Sequence, residues 1–199
     1  ILSPEEKQTA KRLIEETLLP IKLDLINKKI DLLILPEDMI DIELWNDIDP
    51  EAKNKFGIEN AGTLIQAYRN LAKELNTNLT ATFTTYQNQK RYNTTILFNK
   101  KGEIVDLYNK SHLTIASEYW FFENWQPFYY QWLKGIQPEI GEEAAMFNKD
   151  YQYQAGERKI LQLENFAFAT PICVEIHYPQ EMKKFKTMGA QFISHSSII

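Results

Sequence analysis

Hydrophobic positions along this chain change their period, and the changes outline its elements. Leu13, Ile14, Leu18, Ile21 and Leu25 recur at helical spacing. Ser3-Pro4-Glu5-Glu6 ahead of them is a helix start, with a hydroxyl cap, a first-turn proline and acids at the positive end of the dipole. Asp31-Leu32-Leu33-Ile34-Leu35 is a short apolar run of the kind found in buried parallel strands, which Pro36 is expected to end, leaving Glu37 just beyond it. Residues 41–60, with Pro50 and Gly57, read as an irregular loop. Leu64, Ala67, Tyr68 and Leu71 then predict a helix over 63–75.

From Asn78 the period becomes two. Residues 79–84 and 92–98 are rich in β-branched and aromatic side chains and predict strands. Asn99-Lys100-Lys101-Gly102 is a hairpin turn, and residues 103–108 return as a strand that runs into Asn109-Lys110. A long aromatic insertion covers about residues 119–150. Further strands are expected at 159–163 and 167–172, a helix from Tyr178-Pro179 to about Met188, and a last strand over 189–194. Helices alternating with strands around a set of hairpins imply an α/β domain with a mixed sheet.

Composition narrows the function classes. The 199 residues suit one domain, expected to run over 1–199. A net charge of −5 with acids and bases interspersed excludes the clustered basic face that nucleic acid requires. One cysteine allows neither an internal disulfide nor a thiolate metal cluster. His112, His177 and His195 lack paired ligand spacing, so no metal is expected. No run approaches the ~20 apolar residues of a spanning helix, and no signal peptide is visible. The start at Ile1 and the stop just after an apolar run suggest a piece of a longer protein. Three asparagine sequons, among them Asn93-Thr94-Thr95, fall on strand or site segments and are discounted for glycosylation.

Three reactive side chains share one placement. Glu37, Lys110 and Cys173 each follow a predicted strand, and sites in open α/β sheets lie beyond the carboxyl ends of the strands. Leu35-Pro36-Glu37, Tyr108-Asn109-Lys110-Ser111-His112-Leu113 and Ile172-Cys173-Val174-Glu175-Ile176-His177-Tyr178-Pro179 resemble, in order and spacing, the three catalytic blocks of the nitrilase (carbon–nitrogen hydrolase) superfamily. Within it, His112-Leu113, Glu118-Tyr119, the Cys-x-Glu-Ile-x-x-Pro run and Gly189-Ala190 are most similar to the apolipoprotein N-acyltransferase branch.

The resemblance implies a nitrilase-like α-β-β-α sandwich with mixed central sheets, here incomplete at both ends. It implies Cys173 as a nucleophile forming a thioester, Glu37 as its base, and Lys110 with the Val174 N–H as oxyanion donors. Glu118 would orient Lys110, and Glu175, two residues past the cysteine, would support the site from the same side as Cys173. The helix opening at Pro179 would add a favourable dipole if aimed at the site. Trp120, Phe121, Phe122, Trp125, Phe128, Tyr129, Tyr130 and Trp132 form either a helix covering a sheet edge or an arm that meets acyl chains. On the second reading Tyr119 and Trp120 bind substrate. No cofactor is implied. The partners would be phospholipid, a lipoprotein and a membrane surface, placing this domain outside the cytoplasm at the cell membrane.

The chain also departs from that branch. The family carries a transmembrane bundle ahead of this domain. Its usual Ser-Asn-Asp-x-Trp is here Ser194-His195-Ser196-Ser197-Ile198, and its Val-Pro-Phe-Gly is Thr114-Ile115-Ala116-Ser117. Two alternatives therefore stand beside the acyltransferase: a cytoplasmic amidase acting on a small linear amide, and a catalytically silent binding domain.

Overall fold

A computed structural model describes residues 4–40, 47–114, 118–119 and 152–197. Most of the aromatic insertion, including Trp120, and the Ile115-Ala116-Ser117 stretch lie outside the described residues.

The element order is α1 (Pro4–Leu25), β1 (Leu32–Glu37), α2 (Pro50–Phe56), α3 (Gly62–Leu75), β2 (Asn78–Gln87), β3 (Lys90–Phe98), β4 (Ile104–Asn109), β5 (Leu161–Gln162) and β6 (Ala167–Ala169). A 3₁₀ turn (Cys173–His177), α4 (Pro179–Thr187) and β7 (Phe192–Ile193) complete it. β1 to β4 form one sheet in sequence order, with β1 parallel to β2 and the other pairs antiparallel. β5, β6 and β7 form a second, with β6 and β7 parallel.

Alternation along β2 and β3 decides the layering. Leu79, Ala81, Phe83, Ile96 and Phe98 face one way and pack with Ile14, Leu18, Leu64, Ile65, Tyr68 and Leu71 of α1 and α3. On the opposite face, Leu97 and Tyr108 join Leu161, Phe168, Ile172 and α4's Phe185 in a second cluster. Helices, sheet, sheet and helix thus stack as the expected α-β-β-α sandwich with mixed sheets. Leu13 of the expected apolar stripe is instead exposed. Between the sheets lie threonines: Thr82 Oγ1 meets Thr95 Oγ1 at 2.8 Å, and Thr170 Oγ1 donates to Thr95 Oγ1 at 3.5 Å.

Three further expectations are corrected. Pro36 does not end β1. The register passes from Ile34 opposite Thr80 to Glu37 opposite Thr82, so Leu35 and Pro36 share the space across from Ala81 in a bulge. A bulge tolerates a residue with no N–H to donate, and the strand continues to Glu37. The stretch read as irregular contains α2. Asp49 caps it by accepting from Ala52 N at 2.8 Å, Pro50 opens it, and Gly57 closes it at φ 70°. Asp49 also pairs with buried Arg69 of α3 at 3.1 Å, which ties the short helix to the core. The later strands are shorter than expected, reduced to Leu161–Gln162, Ala167–Ala169 and Phe192–Ile193.

Candidate active site

Glu37 ends β1 with 5% of its surface exposed, and its Oε1 accepts from Asn93 Nδ2 at 2.6 Å. The same amide nitrogen donates to Glu118 Oε1 at 3.0 Å. Lys110, directly after β4 and 1% exposed, holds Glu118 with Nζ at 2.9 Å from Oε1 and 2.8 Å from Oε2. A buried ammonium needs such a partner, because an unpaired charge in the interior is strongly disfavoured. Glu118 is fixed in turn: its Oε2 accepts from Thr114 N at 2.7 Å. Glu37, Asn93, Glu118 and Lys110 therefore form one continuous buried chain. Glu37 Oε2 has no hydrogen-bond partner among the described residues, so one lone-pair face of this carboxylate is available to an incoming proton.

The backbone of Lys110 is clamped on both sides. Its N–H donates to Asn93 O at 2.9 Å, and its carbonyl accepts from Gly156 N at 2.8 Å. Gly156 is required there, since a Cβ would lie 2.5 Å from Asn109 O.

Cys173 is half-buried and adopts φ 48°, the left-handed region that a non-glycine residue enters at a cost of roughly 1–3 kcal/mol. Its N–H donates to Ser196 O at 2.8 Å, while Ser196 Oγ donates to Leu35 O at 3.2 Å. Ser196 thus joins the cysteine turn to β1 two residues before Glu37. The 3₁₀ turn that begins at Cys173 separates it from α4. The nearest regular N-terminus to the thiol is therefore this short turn, not the α4 start at Pro179.

Glu175 sits 1% exposed between the cysteine and lysine blocks. Oε2 accepts from Ile172 N at 2.8 Å. Oε1 accepts from Ser111 N at 2.8 Å, His112 N at 2.9 Å and Ser111 Oγ at 2.8 Å. Tyr108 OH donates to both oxygens, at 2.8 and 3.0 Å. Burial, then the adjacent Glu175 charge, pushes the Tyr108 phenol well above its ordinary range, so it remains a donor. A spacing of two on a strand-to-turn segment is expected to keep Glu175 on the same side as Cys173. In the 3₁₀ turn Glu175 points into the protein and binds backbone, while Cys173 keeps partial exposure.

Further out, Glu181 of α4 is held below the ordinary carboxylate range, first by its hydrogen bond from Lys184 at 2.8 Å and then by Arg158 and His112. Tyr119 is half-buried beside Glu118, with its N–H 3.4 Å from Thr114 O. Val174 directly follows Cys173 in the 3₁₀ turn.

Matching of the carbon–nitrogen hydrolase family extends over residues 5–198. The chain belongs to that family. It is 28% identical over 170 residues to an apolipoprotein N-acyltransferase of Aquifex aeolicus, covering 85% of this chain and 31% of that protein. A carbon–nitrogen hydrolase from Helicobacter pylori G27 superposes with a TM-score of 0.63 at 18% identity, over 96% of this chain and 56% of its own. Nit3 of Saccharomyces cerevisiae, from branch 10 of the nitrilase superfamily, gives 0.60 at 18% identity over 99% and 60%. An amidase from Nesterenkonia sp. gives 0.58 at 15% identity over 96% and 59%. These structures share the fold. The chain spans less than a third of the curated relative and somewhat over half of these solved chains.

Asn93, Tyr108, Ser111 and Ser196 were not singled out from sequence as site residues. Asn93 carried a signal: an amide among threonines and aliphatics on a buried strand is costly unless it has dedicated partners.

Proposed function

We propose that this carbon–nitrogen hydrolase chain performs cysteine-dependent acyl transfer, taking a fatty acyl group from phospholipid and delivering it to the N-terminal amine of a lipoprotein. The observation that carries the reading is the buried Glu37–Asn93–Glu118–Lys110 chain, in which Glu37 Oε2 has no partner among the described residues.

On this reading the Cys173 sulfur attacks the ester carbonyl and its proton passes to Glu37. The Lys110 ammonium and the Val174 N–H stabilise the oxyanion. Collapse breaks the ester C–O bond, Glu37 returns the proton to the departing lysolipid oxygen, and the acyl group remains as a thioester on Cys173. An amine then attacks the thioester, Glu37 takes its proton, and the second collapse restores the Cys173 thiol and yields an amide. Glu118 holds Lys110 in place, Glu175 fixes the two loops to each other, and Tyr119 and Trp120 contact the acyl chain.

The likeness to an apolipoprotein N-acyltransferase supports the lipid substrates. The aromatic run from Trp120 to Trp132 supports contact with a membrane surface, with the domain on the extracytoplasmic side. No described helix is long and apolar enough to cross a membrane. The same residues would serve a cytoplasmic amidase, a reading favoured by the amidase among the solved structures of this fold. The test is incubation of the chain with phosphatidylethanolamine vesicles or with propionamide, followed by mass mapping of Cys173 and addition of a diacylglyceryl-cysteine peptide. A fatty acyl adduct that moves to the peptide amine is expected. An adduct from propionamide alone, with ammonia released, would establish the amidase instead, and no adduct from either donor would defeat both.

A further inference from the structure

His195 is exposed on the segment after β7, yet its Nε2 lies 3.0 Å from the carbonyl oxygen of Cys173. A carbonyl only accepts, so the contact requires the proton on Nε2. That carbonyl belongs to the peptide unit whose other end is the Val174 N–H. In a planar trans peptide the C=O and N–H point in opposite directions, so holding one fixes the other. The unit also follows a residue at φ 48°, where the backbone needs outside support to stay. One side of that support is the Cys173 N–H bond to Ser196 O at 2.8 Å, and a parallel bridge of Ile172 to Ser196 keeps the two segments together. His195, next to Ser196, grips the other side of the same residue.

We propose that His195 is the positioning residue of the oxyanion hole: its Nε2–H holds the Cys173 carbonyl so that the Val174 N–H faces the acyl oxygen. A donor on the carbonyl also polarises the peptide, leaving the Val174 N–H a stronger donor. The inference rests on Cys173 being the nucleophile, and it deepens that reading by naming what aims the backbone donor. His195 does not touch the reacting atoms, and its ring is at the surface, so its loss leaves the core intact.

The experiment uses p-nitrophenyl butyrate as acyl donor and iodoacetamide as a control, on the wild-type chain and on His195→Ala and His195→Gln. Acylation passes through an oxyanion: sulfur bonds to the ester carbon, the thiol proton goes to Glu37, and p-nitrophenolate leaves. Alkylation by iodoacetamide displaces iodide at a saturated carbon and forms no oxyanion. Removing one oxyanion donor outright costs ~100- to 1000-fold, and misaiming it costs part of that. His195→Ala is therefore expected to slow acylation about 10- to 100-fold and to leave alkylation unchanged. His195→Gln, which keeps an amide donor at similar reach, restores acylation. In parallel, the backbone 15N resonance of Val174 moves upfield in His195→Ala and returns in His195→Gln, with no substrate present. Acylation at the wild-type rate in His195→Ala, or a fall matched by alkylation, would overturn the proposal, as would an unmoved Val174 resonance. If the resonance moves but the wild type takes no butyryl group, the nucleophile reading has failed and the role in acyl transfer falls with it, while the His195 bond stands.

Discussion

Replacing Glu175 by glutamine tests how the two loops of the site are held. The carboxylate is 1% exposed and accepts from the N–H groups of Ile172, Ser111 and His112 and from the hydroxyls of Ser111 and Tyr108. Glutamine keeps one accepting oxygen. Placed at the Oε1 side, that oxygen preserves the Ser111 and His112 contacts, but the new NH₂ then confronts the Ile172 N–H, donor against donor. The loss is one charge-assisted bond of roughly 1.5–3 kcal/mol and a stranded buried donor of about 1–3 kcal/mol, partly the same energy counted twice. A net destabilisation of about 2–4 kcal/mol follows. Urea unfolding measures it: the midpoint falls while the slope stays constant, because the surface exposed on unfolding is unchanged. Cys173 alkylation also changes, since Ile172 anchors the turn that holds the thiol. Stability within about 0.5 kcal/mol of wild type, the range of ordinary surface changes, would refute the claim that Glu175 clamps the lysine loop to the cysteine turn.

Other consequences are as direct. Glu118→Gln leaves the Lys110 ammonium buried without its carboxylate and is expected to cost about 3–5 kcal/mol in urea unfolding. Asn93→Ala breaks both the Glu37 and the Glu118 contacts; a fall in acylation of about 10- to 100-fold is expected from a misplaced base, read from the p-nitrophenol burst. Gly156→Ala forces a Cβ against Asn109 and is expected to lower stability by about 1–3 kcal/mol, seen as a lower urea midpoint. Glu181 has a folded-state pKa below its unfolded value, so its contribution is present above the ordinary carboxylate range and is lost as pH falls through the folded value. Wild type should therefore lose stability on acidification more than Glu181→Gln does, in unfolding midpoints compared between pH 7 and about pH 3.

What was legible in the sequence followed periodicity and local chemistry. The apolar run before Glu37, the alternation of β2 and β3 and the hairpin at Gly102 each specify their element alone. Three spaced motifs then singled out Glu37, Lys110 and Cys173, and Glu118 lies against Lys110. What was missed depends on tertiary context. Pro36 reads as a strand terminator unless the bulge opposite Ala81 is known. Asp49-Pro50 is a good helix start, but seven residues carry too little periodicity to reveal α2. Asn93 stands in a discounted sequon, and its site contacts were hidden because its partners lie 56 and 25 residues away. Glu175's inward direction depends on the 3₁₀ turn that Cys173 opens, which a spacing of two on a strand-to-turn segment does not reveal.

The central claim is that Cys173 becomes a thioester with Glu37 taking its proton, and one measurement addresses it. The chain, Cys173→Ala and Glu37→Gln are mixed with p-nitrophenyl butyrate, quenched in acid over time and weighed intact, with the adduct mapped by peptide digestion. The account predicts a single butyryl group on Cys173, removed by neutral hydroxylamine as a thioester is. It is absent from Cys173→Ala and forms about 100-fold or more slowly in Glu37→Gln, the scale of a lost general base. A butyryl group on another side chain, or Glu37→Gln acylating as fast as wild type, would contradict it.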